Sequence, residues 1–132
     1  MLDNEQRLID GATKARTRAY APYSNFQVGA AVETESGDFY TGCNIESASY
    51  GLTVCAERVA IWNAISQGKR RIKRIAVVAD TEELTPPCGA CRQIIWEFGG
   101  DIPVILANSK GQTDTLQMKD LLPLAFDTKF LK

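Results

Sequence analysis

Ile72-Lys73-Arg74-Ile75-Ala76-Val77-Val78-Ala79 is an apolar run interrupted only by two cations near its start. Eight residues that are apolar without alternation read as a strand inside a sheet covered on both faces. The flanking segments agree with that reading. From about Val54 to Gln67 the chain is apolar on most sides (Ala56, Val59, Ala60, Ile61, Trp62, Ala64, Ile65), the pattern of a deeply buried helix, and Gly68 would cap it. Downstream, Pro86-Pro87 introduces a helix over about 88–98 that Gly99-Gly100 ends. A short strand at 102–107 follows, with Pro103 at its start or on an edge.

Further out, residues 4–19 place Leu8, Ile9, Ala12, Ala15 and Ala19 at helical spacing. A turn follows over residues 21–25, and then Phe26, Val28, Ala30 and Val32 alternate as on a half-buried strand. Ser36-Gly37-Asp38 turns the chain back into a hairpin partner at 39–45. The tail LQMKDLLPLAF (116–126) reads as a short helix broken at Pro123. The order helix, two strands, helix, strand, helix, strand implies an α/β fold, a mixed sheet with helices on both faces. No repeat, linker or low-complexity tract divides the 132 residues, so a single domain over 1–132 is expected.

Composition narrows the chemistry. With 45% hydrophobic and 23% charged residues the chain can build a core. A net charge of −1 supplies no field for gripping nucleic acid or an anionic membrane. There is no histidine, which removes any Ser-His-Asp triad, histidine base or histidine metal ligand. The start MLDNEQRLID is polar, unlike a signal peptide, and no apolar run approaches the roughly 18 residues of a membrane span. A cytoplasmic protein is expected, and there closely spaced cysteines point to metal or catalysis before disulfides.

The cysteines are Cys43, Cys55, Cys88 and Cys91. Cys88 and Cys91 are three apart on the opening turn of one expected helix, so both sulfurs can face the same way. Cys55 opens the other. Helix N-termini favour thiolates, the metal-ligating form. Three thiolates at two helix starts leave a tetrahedral zinc one open position, the mark of a catalytic site. Cys43 lacks the paired spacing of a ligand and reads as a small buried core residue. Cys88 and Cys91 alone would also suit a redox pair, but that gives no reason for a third cysteine followed two positions later by Glu57.

C-A-E at 55–57 and P-C-G-A-C at 87–91 follow the zinc-deaminase signature H-x-E…P-C-x-x-C in its three-cysteine form. Together with FQVGAAV, GCNIESASYG, CAERVA, PPCGACRQ and LLPLAF, they make residues 20–126 resemble the small, three-cysteine, homotetrameric cytidine deaminases. That resemblance implies a three-layer α/β/α fold with a roughly five-stranded mixed sheet. It also implies one zinc per chain, and hydrolytic deamination of cytidine and 2′-deoxycytidine to uridine and 2′-deoxyuridine with release of ammonia, a reaction of pyrimidine salvage.

Residue by residue, the resemblance assigns Cys55, Cys88 and Cys91 to zinc and Glu57 to both proton transfers. With no histidine present, a carboxylate facing the metal is the best candidate on chemical grounds as well. Zinc with three thiolates keeps one net negative charge, and Arg58 matches the family arginine that hydrogen-bonds ligand sulfurs to offset it. Asn44 and Glu46 match the pair that binds the ribose 3′-hydroxyl. An amide plus a carboxylate suits a sugar diol and repels a phosphate, which favours nucleosides over nucleotides. Phe26 matches the aromatic that packs on the base, against the plainer reading of a core aromatic, and Ala56 would offer backbone groups to the base edge. Tyr50 and Phe126 match positions that complete a neighbouring subunit's site. Arg92 has the weaker claim of bracing the second ligand helix or a subunit contact.

The cluster Lys69-Arg70-Arg71-Ile72-Lys73-Arg74 reads as a solvated helix C-terminus rather than a nucleic-acid contact. Ser47 stands where the family often has asparagine. Four rival readings remain: a deaminase of modified cytosine nucleosides such as blasticidin S, a nucleic-acid deaminase, a non-catalytic zinc module and a redox protein. The intact CNIESASYG segment weighs against the first, and the missing histidine and basic surface against the second. A zinc module would close its site with a fourth ligand and would not need Glu57.

Overall fold

The computed structural model describes residues 3–131. Helix α1 (Asn4–Arg16) starts where the Asp3 carboxylate accepts a hydrogen bond from the Gln6 N–H at 2.8 Å. Strands β1 (Val28–Thr34) and β2 (Phe39–Cys43) form the expected hairpin, followed by helix α2 (Ala56–Ser66) and strand β3 (Ile72–Ala79). Helix α3 (Gly89–Gly99), strands β4 (Pro103–Ala107) and β5 (Thr113–Gln117) and the short helix α4 (Met118–Leu121) complete the order.

The strands make one sheet in the order β2-β1-β3-β4-β5. Only β3 and β4 run parallel; the other neighbours are antiparallel. Helix α1 covers one face, closing a core of Leu8, Ala12, Ala31, Ala76, Val78 and Ile105. Helices α2 and α3 cover the other, where Ala60, Ile61 and Ile95 meet Val32, Ile75, Val77 and Val104. Each fully buried Ile or Leu contributes roughly 1.5–3 kcal/mol. This is the expected three-layer α/β/α arrangement, and β3 is the covered strand that its sequence describes.

Two glycines set the layer spacing. A Cβ on Gly29 would fall 1.9 Å from the Ala12 carbonyl oxygen of α1, and one on Gly42 would fall 2.4 Å from the Ala60 nitrogen of α2. Both contacts are with helix backbone, which has no flexible end to swing aside.

The structure corrects several expectations. Strand β1 is buried along its whole length rather than on alternate residues, because helices lie on both sides of it. Phe26 precedes that strand and is 40% exposed, so it is not a core aromatic. Cys43 is half-buried rather than buried. Trp62, counted with the apolar face of α2, is 45% exposed and lies beneath the Arg58 guanidinium. Leu116 and Gln117 belong to β5 and not to a helix, since Thr113–Gln117 pairs in register with β4 and leaves only Met118–Leu121 helical. The basic cluster lies largely beyond the end of α2: Lys73 and Arg74 sit in β3 and pair with the buried Glu33 at 3.3 and 2.6 Å, and Lys69 pairs with Asp38. Among the described residues, no helix is long and apolar enough to cross a membrane.

Candidate active site

Cys55 is the N-cap residue of α2 and Cys88 that of α3, each in extended backbone just before its helix. Neither side chain caps its own helix, which leaves both sulfurs free to point outward. Cys91, one turn into α3, is fully buried. The Sγ atoms of Cys55 and Cys88 lie 3.6 Å apart and those of Cys88 and Cys91 3.3 Å apart, and all three fall within 4.8 Å of one another. A tetrahedral zinc with bonds of about 2.3 Å needs sulfurs about 3.8 Å apart. Three soft donors at nearly that spacing suit zinc, so these residues are positioned to hold the ion. Cys43 stands outside the group.

The electrostatics favour a thiolate at Cys55. The Cys55 thiol is pushed down to about 5, first by a hydrogen bond from Cys91 and then, against its partial burial, by Arg58 and Cys88. Cys91 shifts the opposite way because the same bond and its burial keep its proton in place. Arg58 Nη2 donates to Cys55 Sγ at 3.6 Å, the placement expected of a charge-offsetting residue. Glu57 is only 4% exposed, and burial, aided by the Cys55 charge, pushes its carboxyl up to about 7.

These groups open into a cavity of about 160 Å³ beyond the carboxyl ends of β2 and β3. Among its lining residues are Phe26, Asn44, Ala56 and Glu57, together with Cys55 and Cys88. An apolar cavity of roughly 150 Å³ accommodates one six-membered aromatic ring. Beside it lies a more open cavity of about 340 Å³, lined by Tyr23, Ser24, Glu46, Ser47, Tyr50 and Thr53. Thr53 lines both.

The sequence-read pair Asn44 and Glu46 is therefore divided between adjoining spaces. Asn44 Oδ1 accepts from the Val28 N–H at 2.9 Å and its Nδ2 donates to the Phe26 carbonyl at 2.7 Å. Asn44 thus holds the Phe26 segment and keeps one N–H for a ligand. Glu46 accepts from the N–H groups of Tyr23 and Ser24 at 2.9 and 3.1 Å and from the Ser24 hydroxyl. Those bonds, that of the hydroxyl first, hold its carboxyl below the usual range. Tyr50 is 78% exposed at the rim of the outer cavity, whereas Phe126 lies away from both cavities and stacks on Phe130. Thr53, Val54, Thr85 and Pro86 line the inner cavity and are not among the site residues read from the sequence. Their signal was position: each lies within three residues of a cysteine ligand.

Known proteins agree with this geometry. The family model described as "Cytidine and deoxycytidylate deaminase zinc-binding region" matches residues 2–107. A cytidine deaminase of Sporosarcina psychrophila is 51% identical over 127 residues, covering 96% of this chain and 93% of its own length. One from Halalkalibacterium halodurans is 51% identical over 124 residues, covering 93% and 94%. The crystal structure of cytidine deaminase from Burkholderia pseudomallei superposes with a TM-score of 0.90 at 47% identity, covering 94% of this chain and 100% of that one. By sequence, by fold and by its three clustered sulfurs, this chain belongs to the cytidine and deoxycytidylate deaminase zinc-binding family.

Proposed function

We propose that this chain hydrolyses cytidine and 2′-deoxycytidine to uridine and 2′-deoxyuridine, releasing ammonia, as a step of pyrimidine salvage in the cytoplasm. The observation that carries this reading is the buried Glu57 carboxyl, which shares one ring-sized cavity with Cys55 and Cys88 of the cysteine cluster. Zinc, when held by Cys55, Cys88 and Cys91, supplies an activated water as nucleophile.

Glu57 does the proton work. It takes a proton from the attacking water and passes it to N3 of the cytosine ring as the water oxygen bonds to C4. It then carries the second proton to the exocyclic amine, the C4–N4 bond breaks, and ammonia leaves with a carbonyl formed at C4. Phe26 packs on the ring, and the buried backbone of Ala56 faces its edge. The sugar extends past Thr53 into the outer cavity, within reach of the free Asn44 N–H and of Glu46. The low pKa of Glu46 keeps a negative charge where a nucleotide's phosphate would approach, which favours nucleosides.

The working unit in this reading is one domain per chain assembled into a homotetramer. Tyr50, Leu52, Phe126 and Phe130 are each more than half exposed, and a neighbouring subunit would cover them while completing the site. Light scattering on the eluting protein distinguishes a tetramer from a monomer.

The ultraviolet spectrum of cytidine incubated with the protein tests the activity. Conversion to uridine that a zinc chelator abolishes, with cytidine monophosphate left unchanged, is the expected result. A zinc-loaded protein that leaves cytidine untouched would overturn it and turn attention to modified cytosine nucleosides.

A further inference from the structure

We propose that Arg92 is a positioning residue for the Cys88 ligand, acting through the backbone on either side of the metal-binding turn. The inference rests on the reading of Cys55, Cys88 and Cys91 as zinc ligands.

Cys88 needs such support because little else holds it. It is exposed, as are Gly89 and Ala90 beyond it. The two residues before it are Pro86 and Pro87, which have no N–H to anchor the approaching chain. The ring of Pro87 is buried, but packing leaves the peptide that enters Cys88 free to turn, and the carbonyls are the segment's remaining polar handles. Arg92 Nε donates to the Pro87 carbonyl at 2.8 Å, at the peptide that leads directly into Cys88. Its own backbone N–H donates to the Cys88 carbonyl at 3.0 Å. One residue therefore grips the chain immediately before and immediately after the ligand's Cα.

The other end of the guanidinium is fixed independently. Arg92 Nη1 donates to the Leu121 carbonyl at 3.0 Å, at the end of α4. Gln93 beside it donates to the Phe126 carbonyl at 2.8 Å. A planar guanidinium bonded at both ends cannot rotate without breaking one bond, so it transmits the position of α4 to the Pro87–Cys88 peptide. The ammonium of a lysine is a single point on a flexible stem and cannot hold both carbonyls in one rigid geometry. Arg92 touches no ligand sulfur; Arg58 does that on the opposite helix.

The test uses the zinc-loaded full-length protein, its Arg92→Ala and Arg92→Lys variants, and a chromophoric chelator that reports zinc release. Loss of a partner that orients metal ligands costs roughly 10–100-fold in metal affinity. The expected result is release about tenfold faster from Arg92→Ala, with Arg92→Lys between it and the parent. Cobalt-substituted protein gives a second readout: the absorption of the tetrahedral thiolate site should change in Arg92→Ala, while the urea midpoint of metal-free protein falls only by the loss of the two hydrogen bonds, too little to account for the faster release. If Arg92→Ala fails to fold, Arg92→Lys alone carries the test, and release at the parent's rate with an unchanged cobalt spectrum overturns the proposal. Faster release explained wholly by a lower urea midpoint of the metal-free protein also overturns it. A parent protein that binds neither zinc nor cobalt would instead overturn the ligand reading on which the proposal rests.

Discussion

The two helix starts that meet at the cysteine cluster are built in opposite ways. The α2 start is packed: Ala56 and Glu57 are buried, and Gly42 lets the helix backbone lie against β2 without a side chain between them. The α3 start is more open: Cys88, Gly89 and Ala90 are exposed between the buried Pro87 and Cys91, and a hydrogen bond from Arg92 to the Pro87 carbonyl holds the turn. The first arm carries Glu57, the proposed acid–base group, and α3 has no acidic residue in its first turn. In the proposed mechanism, close packing thus supports the arm that would deliver a proton to a defined atom, and hydrogen bonds support the arm that would only ligate.

The sharpest way to break this contrast is to remove the chemistry from the packed arm. Glu57→Gln is nearly isosteric and should keep about one zinc per chain while losing between about a hundredfold and ten-thousandfold in turnover. Metal content measured beside initial rates checks it, and near-normal turnover in a zinc-loaded variant would remove Glu57 from its role. Gly42→Ala should cost about 3 kcal/mol or more, at or above the upper end of ordinary overpacking, because the clash is with the α2 backbone. Urea denaturation reads that loss, and wild-type stability would show that α2 can shift.

Arg58→Ala, which removes the cation donating to Cys55, should weaken zinc retention about tenfold. Release kinetics into a chelator check this, and an unchanged rate would make Arg58 an ordinary helix cation. The smallest effect belongs to the open arm. A Cβ on Gly89 meets nothing within 4 Å, so Gly89→Ala should leave the unfolding free energy unchanged or raise it by up to about 1 kcal/mol. A loss comparable to that of Gly42→Ala in the same titration would mean that α3 is as tightly packed as α2.

Much of this architecture was legible in the chain. The covered strand β3, the two helices that open on cysteines and the hairpin before them carry local patterns strong enough to read. Strand β5 was not legible, because Thr-Asp-Thr-Leu-Gln has few apolar residues and its identity comes from pairing with β4. The buried Glu33 was also missed. Its environment depends on Lys73 and Arg74, some forty residues away, which the adjacent strand brings within ion-pair distance. Phe26 fitted an alternating strand in sequence, yet it lies outside β1 and lines the cavity.

The chemistry was readable without coordinates because it depends on residue types and short spacings. No histidine, three cysteines at helix starts and a glutamate two positions after the first leave few candidates for metal ligation and proton transfer. The three-dimensional arrangement alone shows how those groups are held and what surrounds them. It divides Asn44 and Glu46 between adjoining cavities, places Thr53 on the border, and joins Arg92 to Pro87 and Leu121. Such contacts depend on side-chain direction and on elements brought together across the chain, and neither follows from local spacing.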